Sequence, residues 1–482
     1  MDLIYSKVSL KSGLEIHQQL DTGKLFSRTP SLLRSDFPHY EIKRKLHKIA
    51  GETGEIDAAV QHEASLDKEF IYQGYNDTIS LVELDESPPQ EIDRQALDEA
   101  LKIALLLNCE IYPVSQIMRK TVIDGSNTSG FQRTVLIAHS GSMDCSFGKV
   151  PIETVILEED AARIVEKKEN QTIYRLDRLG IPLVEIATSP VLDTPDKIKE
   201  AALKLGEILR ACKVKRGIGT IRQDLNISIK GHNRVEIKGF QDPKLMIKTI
   251  DLEIVRQQEE LKKGKIKGGV RNVLDDASTE FLRPIPGKAR MYPETDLLLL
   301  KISRDHINKI KKNLPKLKHE IRDELKKKGL SDELINLVLD GNLDEFEILM
   351  RVYDKDANLI AKMITLWRQD LAAKNKKTLE EVKNILNENI LESILEKVAS
   401  KEISESDVRS IMIKIYQKVP LDEALKIDKQ SDDQLEEKIR NIIKENPGLR
   451  PNAYMGLMIS KLGKDVDKRK AMEILKRIVN IK

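Results

Sequence analysis

Cysteine is scarce in this 482-residue sequence, and no two cysteines share a CxxC or CxC spacing. The three present, Cys109, Cys145 and Cys212, stand far apart along the chain. A disulfide framework and a cysteine-rich zinc site are therefore both disfavoured, and a reducing compartment is indicated. No apolar run approaches the roughly 18 residues of a membrane helix, and the first ten residues lack a signal-peptide pattern. We expect a cytoplasmic protein without membrane contact.

Aromatic residues and net charge are also low. Phe, Trp and Tyr make up 4% of the chain, which disfavours stacking surfaces for single-stranded nucleic acid. The 81 basic residues nearly balance the 78 acidic ones, so any contact with nucleic acid must come from a local basic cluster. The chain has no GxxxxGK[ST] motif, and RGIGTIR at 216–222 is only a weak glycine loop. A P-loop nucleotide site is therefore excluded.

The sequence pattern changes near residue 296. Before it come short alternating strands, Gly/Pro turns and a few helices, and after it the chain is almost continuously helical in pattern. The length also exceeds what one hydrophobic core supports. We predict an α+β fold with an antiparallel-sheet cradle domain over residues 1–296, an all-α helical domain over 297–412 and a small helical tail domain over 413–482.

The stretch VIDGSNTSGFQRT, residues 122–134, is unusually rich in hydrogen-bonding side chains. It combines two glycines with four hydroxyl side chains, and basic residues stand beside it at Arg119 and Lys120. A bare loop needs Gly and Asn for left-handed backbone angles, but it does not need this density of donors. We interpret the stretch as a binding segment for phosphate or for a charged acyl end.

Acidic residues interrupt several apolar strands of the first domain. Glu15 and His17 are two apart, so a strand directs both to one face, while Glu158 ends an apolar strand and Glu185 stands inside another. If these strands share one sheet, the acids converge, and two charges ~4 Å apart repel by about 4 kcal/mol at an effective dielectric near 20. A divalent cation removes that repulsion, and mostly oxygen ligands favour Mg²⁺ or Mn²⁺. The alternative for His17 is a packed core histidine.

A β-hairpin is predicted over residues 221–240, with one apolar and one polar face. The polar face carries Arg222, Asp224, Asn226, Glu236 and Lys238. A solvated face, the usual condition of an antiparallel sheet, is the alternative to a binding surface.

Seven ordered motifs resemble the B/E family of tRNA-dependent amidotransferase subunits, and within it the E branch. They are GLEIHQQLDTGKLFS, MRKTVIDGSNTSGFQRT, LEEDAAR, DRLGIPLVEI, IRQDLNISI, VEIKG and RPIPGKARMYPETD. The resemblance implies ATP- and Mg²⁺-dependent phosphorylation of the γ-carboxyl of Glu on tRNA(Gln), followed by amidation with ammonia. It also implies that ammonia comes from an asparaginase-like glutaminase, the D-type partner of this branch, in a complex with two copies of each chain.

The same resemblance implies the roles of individual residues. By this resemblance, the expected metal ligands are Glu15, His17, Glu158 and Glu185. The expected catalytic residues are Glu158, Glu185, Asp224 and Glu236. Contacts to nucleotide or acyl groups are assigned to Arg222, Lys238, Asn226, Ser126 and Arg133. No zinc is expected, because Ser27 and Thr29 stand where some relatives place cysteines.

The C-terminal residues from 445 onward resemble the tail domain that contacts tRNA in this family. A basic cluster is expected to bind tRNA phosphates there, through Lys461, Lys464, Lys468, Arg469 and Lys470. A solvated helix face is the alternative.

One departure is the absence of the inserted domain that E-branch members carry before the RP-PG-ARMYPETD motif. Only residues 264–281 bridge that place, which leaves open how tRNA(Gln) is discriminated. Two other functions remain as rivals. The first is a B-type subunit acting with an amidase-type partner on Glu-tRNA(Gln) or Asp-tRNA(Asn). The motif SNTSGFQRT disfavours it, because this motif resembles the E branch. The second is a non-catalytic tRNA-binding protein.

Overall fold

The computed structural model describes most of the chain in two compact units, Met1–Glu320 and Ile321–Lys482. The described residues are 5–50, 54–240, 243–264, 266–287, 290–426, 432–449, 453–454, 456–458 and 468–478. The first unit combines sheets with helices and the second is helical, so the predicted α+β class is confirmed. The finer boundaries at residues 296 and 412 stay predictions.

The strands all belong to the first unit. They are β1 (Lys11–Gln19), β2 (Tyr40–Arg44), β3 (Glu69–Gly74), β4 (Glu110–Ile111), β5 (Val114–Ser115), β6 (Ile117–Thr121), β7 (Phe131–Cys145), β8 (Gly148–Glu159), β9 (Arg163–Lys167), β10 (Gln171–Arg175), β11 (Pro182–Thr188), β12 (Ile221–Ser228), β13 (Val235–Phe240), β14 (Gly269–Val273), β15 (Thr279–Arg283), β16 (Met291–Pro293) and β17 (Leu300–Lys301).

The main sheet has the order β15-β14-β13-β12-β1-β11-β8-β7-β6-β16, with β4 attached to β7. Neighbouring strands within this sheet are antiparallel, except that β13 and β14 are parallel. A smaller sheet has the order β2-β3-β10-β9, and β5 pairs with β17. The hairpin predicted over 221–240 is present as β12 and β13.

The helices lie between the strands in the first unit and fill the second. They are α1 (Tyr5–Val8), α2 (Ala58–Ser65), α3 (Arg94–Leu106), α4 (Pro195–Arg210), α5 (Pro243–Lys262), α6 (Arg304–Lys312), α7 (Lys318–Lys327), α8 (Asp332–Leu339), α9 (Leu343–Val352), α10 (Ala357–Lys362), α11 (Arg368–Asn375), α12 (Leu379–Ile385), α13 (Glu388–Ala399), α14 (Val408–Tyr416), α15 (Leu421–Ala424), α16 (Asp432–Glu445) and α17 (Lys468–Ile478). None of the described helices is both long and apolar enough to cross a bilayer.

Helices cover one face of the main sheet. Asp93 and Thr194 cap α3 and α4, each accepting a hydrogen bond from a backbone N–H of the first turn. Helix α3 packs on β7 and β8, α4 on β1, and α5 on β12 and β13. These helices bury apolar side chains that alternate along the strands, including Leu14, Ile16 and Ile186. The side chains between them point to the other face, where the site lies.

The segment 122–130 packs against the smaller sheet. Tyr72 and Tyr174 of that sheet donate hydrogen bonds to the backbone carbonyls of Gly125 and Asp124, at 2.9 and 2.8 Å. Thr128 donates to the carbonyl of Glu83 at 2.6 Å. These bonds hold the backbone of the segment against the smaller sheet and engage one of its hydroxyl side chains, Thr128.

Gly125 is the position in this segment that tolerates a side chain least. It has φ +88°, and a Cβ there would lie 2.2 Å from Cδ1 of Phe70. We expect Gly125→Ala to lower the free energy of unfolding by about 2–4 kcal/mol, through backbone strain and overpacking together.

Chemical denaturation of Gly125→Ala and of a second variant, Gly130→Ala, measures how much free energy of unfolding each substitution costs. Gly130 also has positive φ, +74°, but its Cβ would come no nearer than 3.8 Å to another atom. Gly130→Ala should therefore cost only the backbone strain, about 1–2 kcal/mol. Equal losses in the two variants would show that Phe70 does not pack against Gly125.

Candidate active site

Five adjacent strands of the main sheet, β8, β11, β1, β12 and β13, direct polar side chains to the face that the helices leave open. In the strand register His17 stands opposite Glu185 on β11 and opposite Arg222 on β12. Glu15 stands opposite Asp224, and Glu158 stands opposite Leu183, two residues before Glu185 on the same strand. Because paired residues share a face, the predicted acids converge.

His17 is the centre of this cluster. Its Nε2 lies 3.3 Å from Oε2 of Glu185, 3.5 Å from Oε1 of Glu15 and 3.9 Å from Oε1 of Glu158. Its Nδ1 lies 4.0 Å from Oδ2 of Asp224. One imidazole therefore contacts carboxylates from four different strands, so His17 is packed among ionisable side chains and not among apolar ones.

Two lysines extend from the flanking strands toward the same acids. Lys120 on β6 places Nζ 2.5 Å from Oε2 of Glu158 and 3.9 Å from Glu185. Lys238 on β13 places Nζ 2.6 Å from both Asp224 and Glu236. The acids thus sit between two lysines, one on each side.

The crowding of charge shifts the proton affinities of the central groups. Burial alone would lower the pKa of His17, but the hydrogen bond and charge of Glu185, with the charges of Glu158 and Asp224, raise it to about 9. Burial, followed by the charge of Glu185, raises the pKa of Glu15. Burial opposes ionisation of Glu185 as well, but the hydrogen bond from His17 and the charge of Lys120 lower its pKa. The raised pKa of His17 means that its protonated imidazole supplies positive charge at the centre of the cluster near neutral pH.

The donor set fits a divalent cation. Among the described residues, two groups bring their ligand atoms within 4.8 Å of one another, one formed by Glu15, His17 and Asp224 and the other by His17, Glu158 and Glu185. Mostly oxygen donors with one imidazole suit Mg²⁺ or Mn²⁺ better than zinc. His17 would have to lose its second proton to become a ligand, since only neutral imidazole binds metal.

Arg222 and Asn226 border the cluster on β12. Arg222 is 2.7 Å from Oδ1 of Asp160, whose other oxygen accepts a hydrogen bond from Gln19 at 2.6 Å. Asn226 stands opposite Glu236, and its buried Oδ1 accepts no hydrogen bond from any described residue. An unpaired buried acceptor requires an explanation, and a donor group of a bound ligand would supply one.

Ser126 and Arg133 are not brought into the cluster. Thr134, paired with Glu158, shares the face of the acids, so Arg133 beside it points to the other face. There Arg133 lies 2.9 Å from Glu294 and 3.4 Å from Glu159. Ser126 accepts a backbone hydrogen bond from Ala162 at 2.8 Å, within the segment packed on the smaller sheet.

Lys120 and Asp160 contact the candidate site, but neither of them was assigned a role there from the sequence. Lys120 belongs to the MRKT motif, whose two basic residues stand beside the predicted binding segment. Only strand pairing, however, places Lys120 next to Glu158. Asp160 directly follows Glu158-Glu159, yet its role as the partner of Arg222 depends on a strand 62 residues away. Neither contact has a local sequence signature.

The predicted tRNA-binding residues fall at the edge of what the structure describes. Lys461 and Lys464 lie outside the described residues. Lys468, Arg469 and Lys470 begin helix α17, but their side chains lie outside the description as well. Their contact with tRNA stays a prediction.

Ser27 and Thr29, which stand where cysteines were considered, form a hydrogen-bonded group with the buried Glu83. Thr29 donates to Oε1 of Glu83 at 2.5 Å, and its Oγ1 lies 3.0 Å from Oγ of Ser27. Lys24 donates to the same carboxylate at 2.9 Å. The absence of zinc stays a prediction.

A family model matches the part of the chain that carries this geometry. The family model for the GatB/GatE catalytic domain matches residues 10–308, which include every strand of the cluster. The acid cluster therefore lies inside a domain that the family model describes as catalytic. The chain belongs to the GatB/GatE family.

Its relatives place it near one branch of the family. It is similar to the E-type subunit of glutamyl-tRNA(Gln) amidotransferase from Methanocaldococcus jannaschii, at 35% identity over 99% of each chain. It is similar to the protein of the same name from Methanococcus maripaludis, at 32% identity over 96% of each chain. The protein of that name from Pyrococcus furiosus is 35% identical, over 83% of this chain and 86% of its own length.

The alignments also bear on the missing insertion. The alignment to the Methanocaldococcus protein spans 636 positions, 154 more than the 482 residues of this chain. That relative therefore carries segments that this chain lacks. The main sheet is nevertheless continuous through β14 and β15, which overlap the bridging residues 264–281.

Proposed function

We propose that this chain converts Glu-tRNA(Gln) to Gln-tRNA(Gln), using ATP, Mg²⁺ and ammonia supplied by a glutaminase partner. Membership of the GatB/GatE family and the name shared by its relatives support the substrate. The observation that carries the proposal is the convergence of Glu15, Glu158 and Glu185 on His17.

The chemistry requires activation of the glutamyl side chain. A γ-carboxylate does not react with ammonia, because its charge repels the nucleophile and hydroxide is a poor leaving group. In the first step a carboxylate oxygen attacks the γ-phosphorus of ATP, the bond to the bridging oxygen breaks, and ADP leaves with the electron pair. Magnesium, when bound, neutralises charge on the phosphates.

The second step forms the amide. Ammonia attacks the carbonyl carbon of the acyl phosphate, the carbon–oxygen bond to phosphate breaks, and phosphate leaves with the electron pair. The nitrogen loses a proton, which we assign to Asp224 or Glu236, since the neighbouring Lys238 keeps both near the reacting face. Lys120 orients Glu158 by its hydrogen bond on the opposite side.

A reconstitution with ammonium chloride tests this function without the partner. The purified chain, Glu-tRNA(Gln), ATP and Mg²⁺ should yield Gln-tRNA(Gln), with one ADP per amide formed. Omitting ATP, Mg²⁺ or ammonium should each abolish the product. Amide formation without ATP would contradict the proposed activation of the γ-carboxyl.

The ammonia source is proposed to be an asparaginase-like D-type glutaminase in a complex with two copies of each chain. Affinity purification from cells that express both candidate partners distinguishes the branches. Recovery of the asparaginase-like chain is the expected result, and recovery of an amidase-like chain would place this protein with the B-type subunits.

The C-terminal basic residues are proposed to contact tRNA phosphates. Substituting Lys468, Arg469 and Lys470 together by glutamine should weaken tRNA binding and reduce its dependence on salt. The measurement is the slope of log affinity against log salt, which should become shallower by about one for each phosphate that the variant no longer neutralises. An unchanged slope would favour a solvated helix face.

A further inference from the structure

Asp160 is a buried carboxylate at one end of the face that carries the acids. It directly follows β8, and its side chain is 1% exposed. Its backbone N–H donates to the carbonyl of Ile181 at 2.8 Å, which continues the pairing of β8 with β11 beyond Glu159. Because Asp160 comes two residues after Glu158, it lies on the same face of the sheet. Asp160 is therefore a neighbour of the acids around His17 without being one of them.

Both side-chain oxygens of Asp160 are engaged. Oδ1 accepts hydrogen bonds from Nη2 of Arg222 at 2.7 Å and from the backbone N–H of Ala161 at 2.8 Å. Oδ2 accepts from Nε2 of Gln19 at 2.6 Å and lies 3.7 Å from Nε of Arg178. Hydrogen bonds between charged groups are short and directional. Asp160 therefore ties Arg222, on β12, to the end of β8 across the two strands that lie between them, β1 and β11.

Arg222 stands beside the acid cluster, yet it pairs with none of the acids there. It lies opposite His17, and Asp224 follows two residues later on the same face of β12. Opposite and diagonal neighbours on paired strands are within reach of a long side chain. Among the described residues, however, the one carboxylate that forms an ion pair with Arg222 is that of Asp160. The side chain of Arg222 is 38% exposed, so its orientation depends on this ion pair more than on packing.

The electrostatics of Arg222 show which acids compete for it. Partial burial opposes its charge, but the charge and hydrogen bond of Asp160, followed by the charges of Glu158 and Asp224, raise the pKa of Arg222. Glu158 and Asp224 belong to the two groups whose donor atoms suit a divalent cation. An arginine paired with either acid would occupy a carboxylate that the cation needs, and its own charge would repel the cation.

Arg178, the second arginine beside Asp160, is anchored independently of that carboxylate. Its Nε donates to the carbonyl of Ala161 at 2.7 Å, and its Nη2 donates to the carbonyl of Ala162 at 2.8 Å. These bonds remain when Asp160 loses its charge. Arg222 is therefore the arginine whose position depends on Asp160.

We propose that Asp160 is a positioning residue, which holds Arg222 away from Glu158 and Asp224 and so keeps these acids free for the cation. This inference rests on the proposed function, in which a divalent cation occupies the cluster. Without the charge of Asp160, Arg222 turns toward the acids and competes with the cation for them. The role of Asp160 is thus exerted through Arg222, and it disappears when Arg222 is removed.

Titration of the full chain with Mn²⁺, followed by electron paramagnetic resonance, tests this assignment. Asp160→Asn should weaken Mn²⁺ binding at least about tenfold, as is typical when a residue that orients a metal site is lost. Arg222→Met should leave the affinity within about threefold of the unaltered chain, because it removes no metal ligand. The double variant Asp160→Asn/Arg222→Met should bind Mn²⁺ as tightly as Arg222→Met. A purely structural role of Asp160 would not be repaired by the second substitution.

Asp177→Asn is the matched control. Asp177 is also fully buried and lies 2.5 Å from Arg163, but it binds Arg163 of β9 and the backbone N–H of Arg34 instead of the acid-bearing face. Its Mn²⁺ affinity should stay within about twofold of the unaltered chain, whatever the loss of stability. Thermal unfolding of every variant shows whether the fold is retained.

Gln19→Met carries the same test in case Asp160→Asn does not fold. It removes the hydrogen bond to Oδ2 of Asp160 but keeps the carboxylate charge, so Mn²⁺ binding should weaken by at least about threefold and recover in Gln19→Met/Arg222→Met. Unchanged Mn²⁺ affinity in the folded single variant, or a double variant as weak as that single variant, overturns the assignment. Failure of the unaltered chain to bind Mn²⁺ saturably overturns the cation site of the proposed function instead.

Discussion

Replacing Glu185 by glutamine should reduce Glu-tRNA(Gln)-stimulated ATP hydrolysis at least about 100-fold. Glu185 lies 3.3 Å from His17 and 3.9 Å from Lys120, and it belongs to one of the two groups whose ligand atoms lie close enough together for the proposed cation. Glutamine preserves the size of the side chain but removes that charge. The ATPase rate is therefore expected to fall without loss of the fold, and thermal unfolding of the variant checks this.

Glu153 provides the matched control for this loss. It lies on β8, the strand that carries Glu158, but its side chain is exposed and no ion pair joins it to a described residue. Glu153→Gln should leave the stimulated ATPase within about twofold of the unaltered chain, as expected for a surface position. A rate in Glu185→Gln equal to that of Glu153→Gln would remove Glu185 from the active site.

The second large effect is expected on stability, from Glu83→Gln. Glu83 and Lys24 form an ion pair of 2.9 Å in which both side chains are almost fully buried, at 2% and 0% exposure. Removing one charge of such a pair leaves the other uncompensated, which costs about 3–5 kcal/mol. The measurement is the free energy of unfolding in urea at pH 7.

This effect should depend on pH in a defined direction. Burial opposes ionisation of Glu83, but Lys24 and the hydrogen bonds from Ser80 and Thr29 lower its pKa to about 2. A carboxyl whose pKa is lowered by folding stabilises the protein above its unfolded pKa, about 4.3, and loses that contribution as pH falls toward 2. The difference between the unaltered chain and Glu83→Gln should therefore shrink from pH 5 to pH 2.

An exposed ion pair in the same region supplies the comparison. Glu86 lies 2.5 Å from Arg44, but its side chain is 58% exposed. Glu86→Gln should change the free energy of unfolding by less than about 1 kcal/mol. A loss in Glu83→Gln no larger than this, or one that grows as pH falls, would contradict the buried pair.

The convergence of the acids was predictable because strand geometry is periodic. Side chains alternate along β1, so Glu15 and His17 share one face whatever the strand order. Glu185 is a charged residue within an apolar strand, and such a residue needs a partner. The strand order itself has no local signal. The position of Lys120 beside the acids follows from that order, so it emerged only from the structure.

The segment 122–134 shows that residue composition alone does not predict where side chains point. Its hydroxyl groups and glycines predict a ligand-binding segment, and that stays a prediction, while two of its backbone carbonyls and Thr128 bind neighbouring parts of the fold. Arg133 points away from the acids because it is one residue out of phase with Thr134 on β7. Composition measures how many donors a segment has, whereas register decides which face they reach.

Titration with Mn²⁺, followed by electron paramagnetic resonance, tests the central claim that the acids around His17 hold a divalent cation. The unaltered chain should show saturable binding that Mg²⁺ competes away. Glu158→Gln and Glu185→Gln should each weaken that binding at least about tenfold, because each removes a ligand. Equal Mn²⁺ affinity in the unaltered chain and both variants would contradict the account.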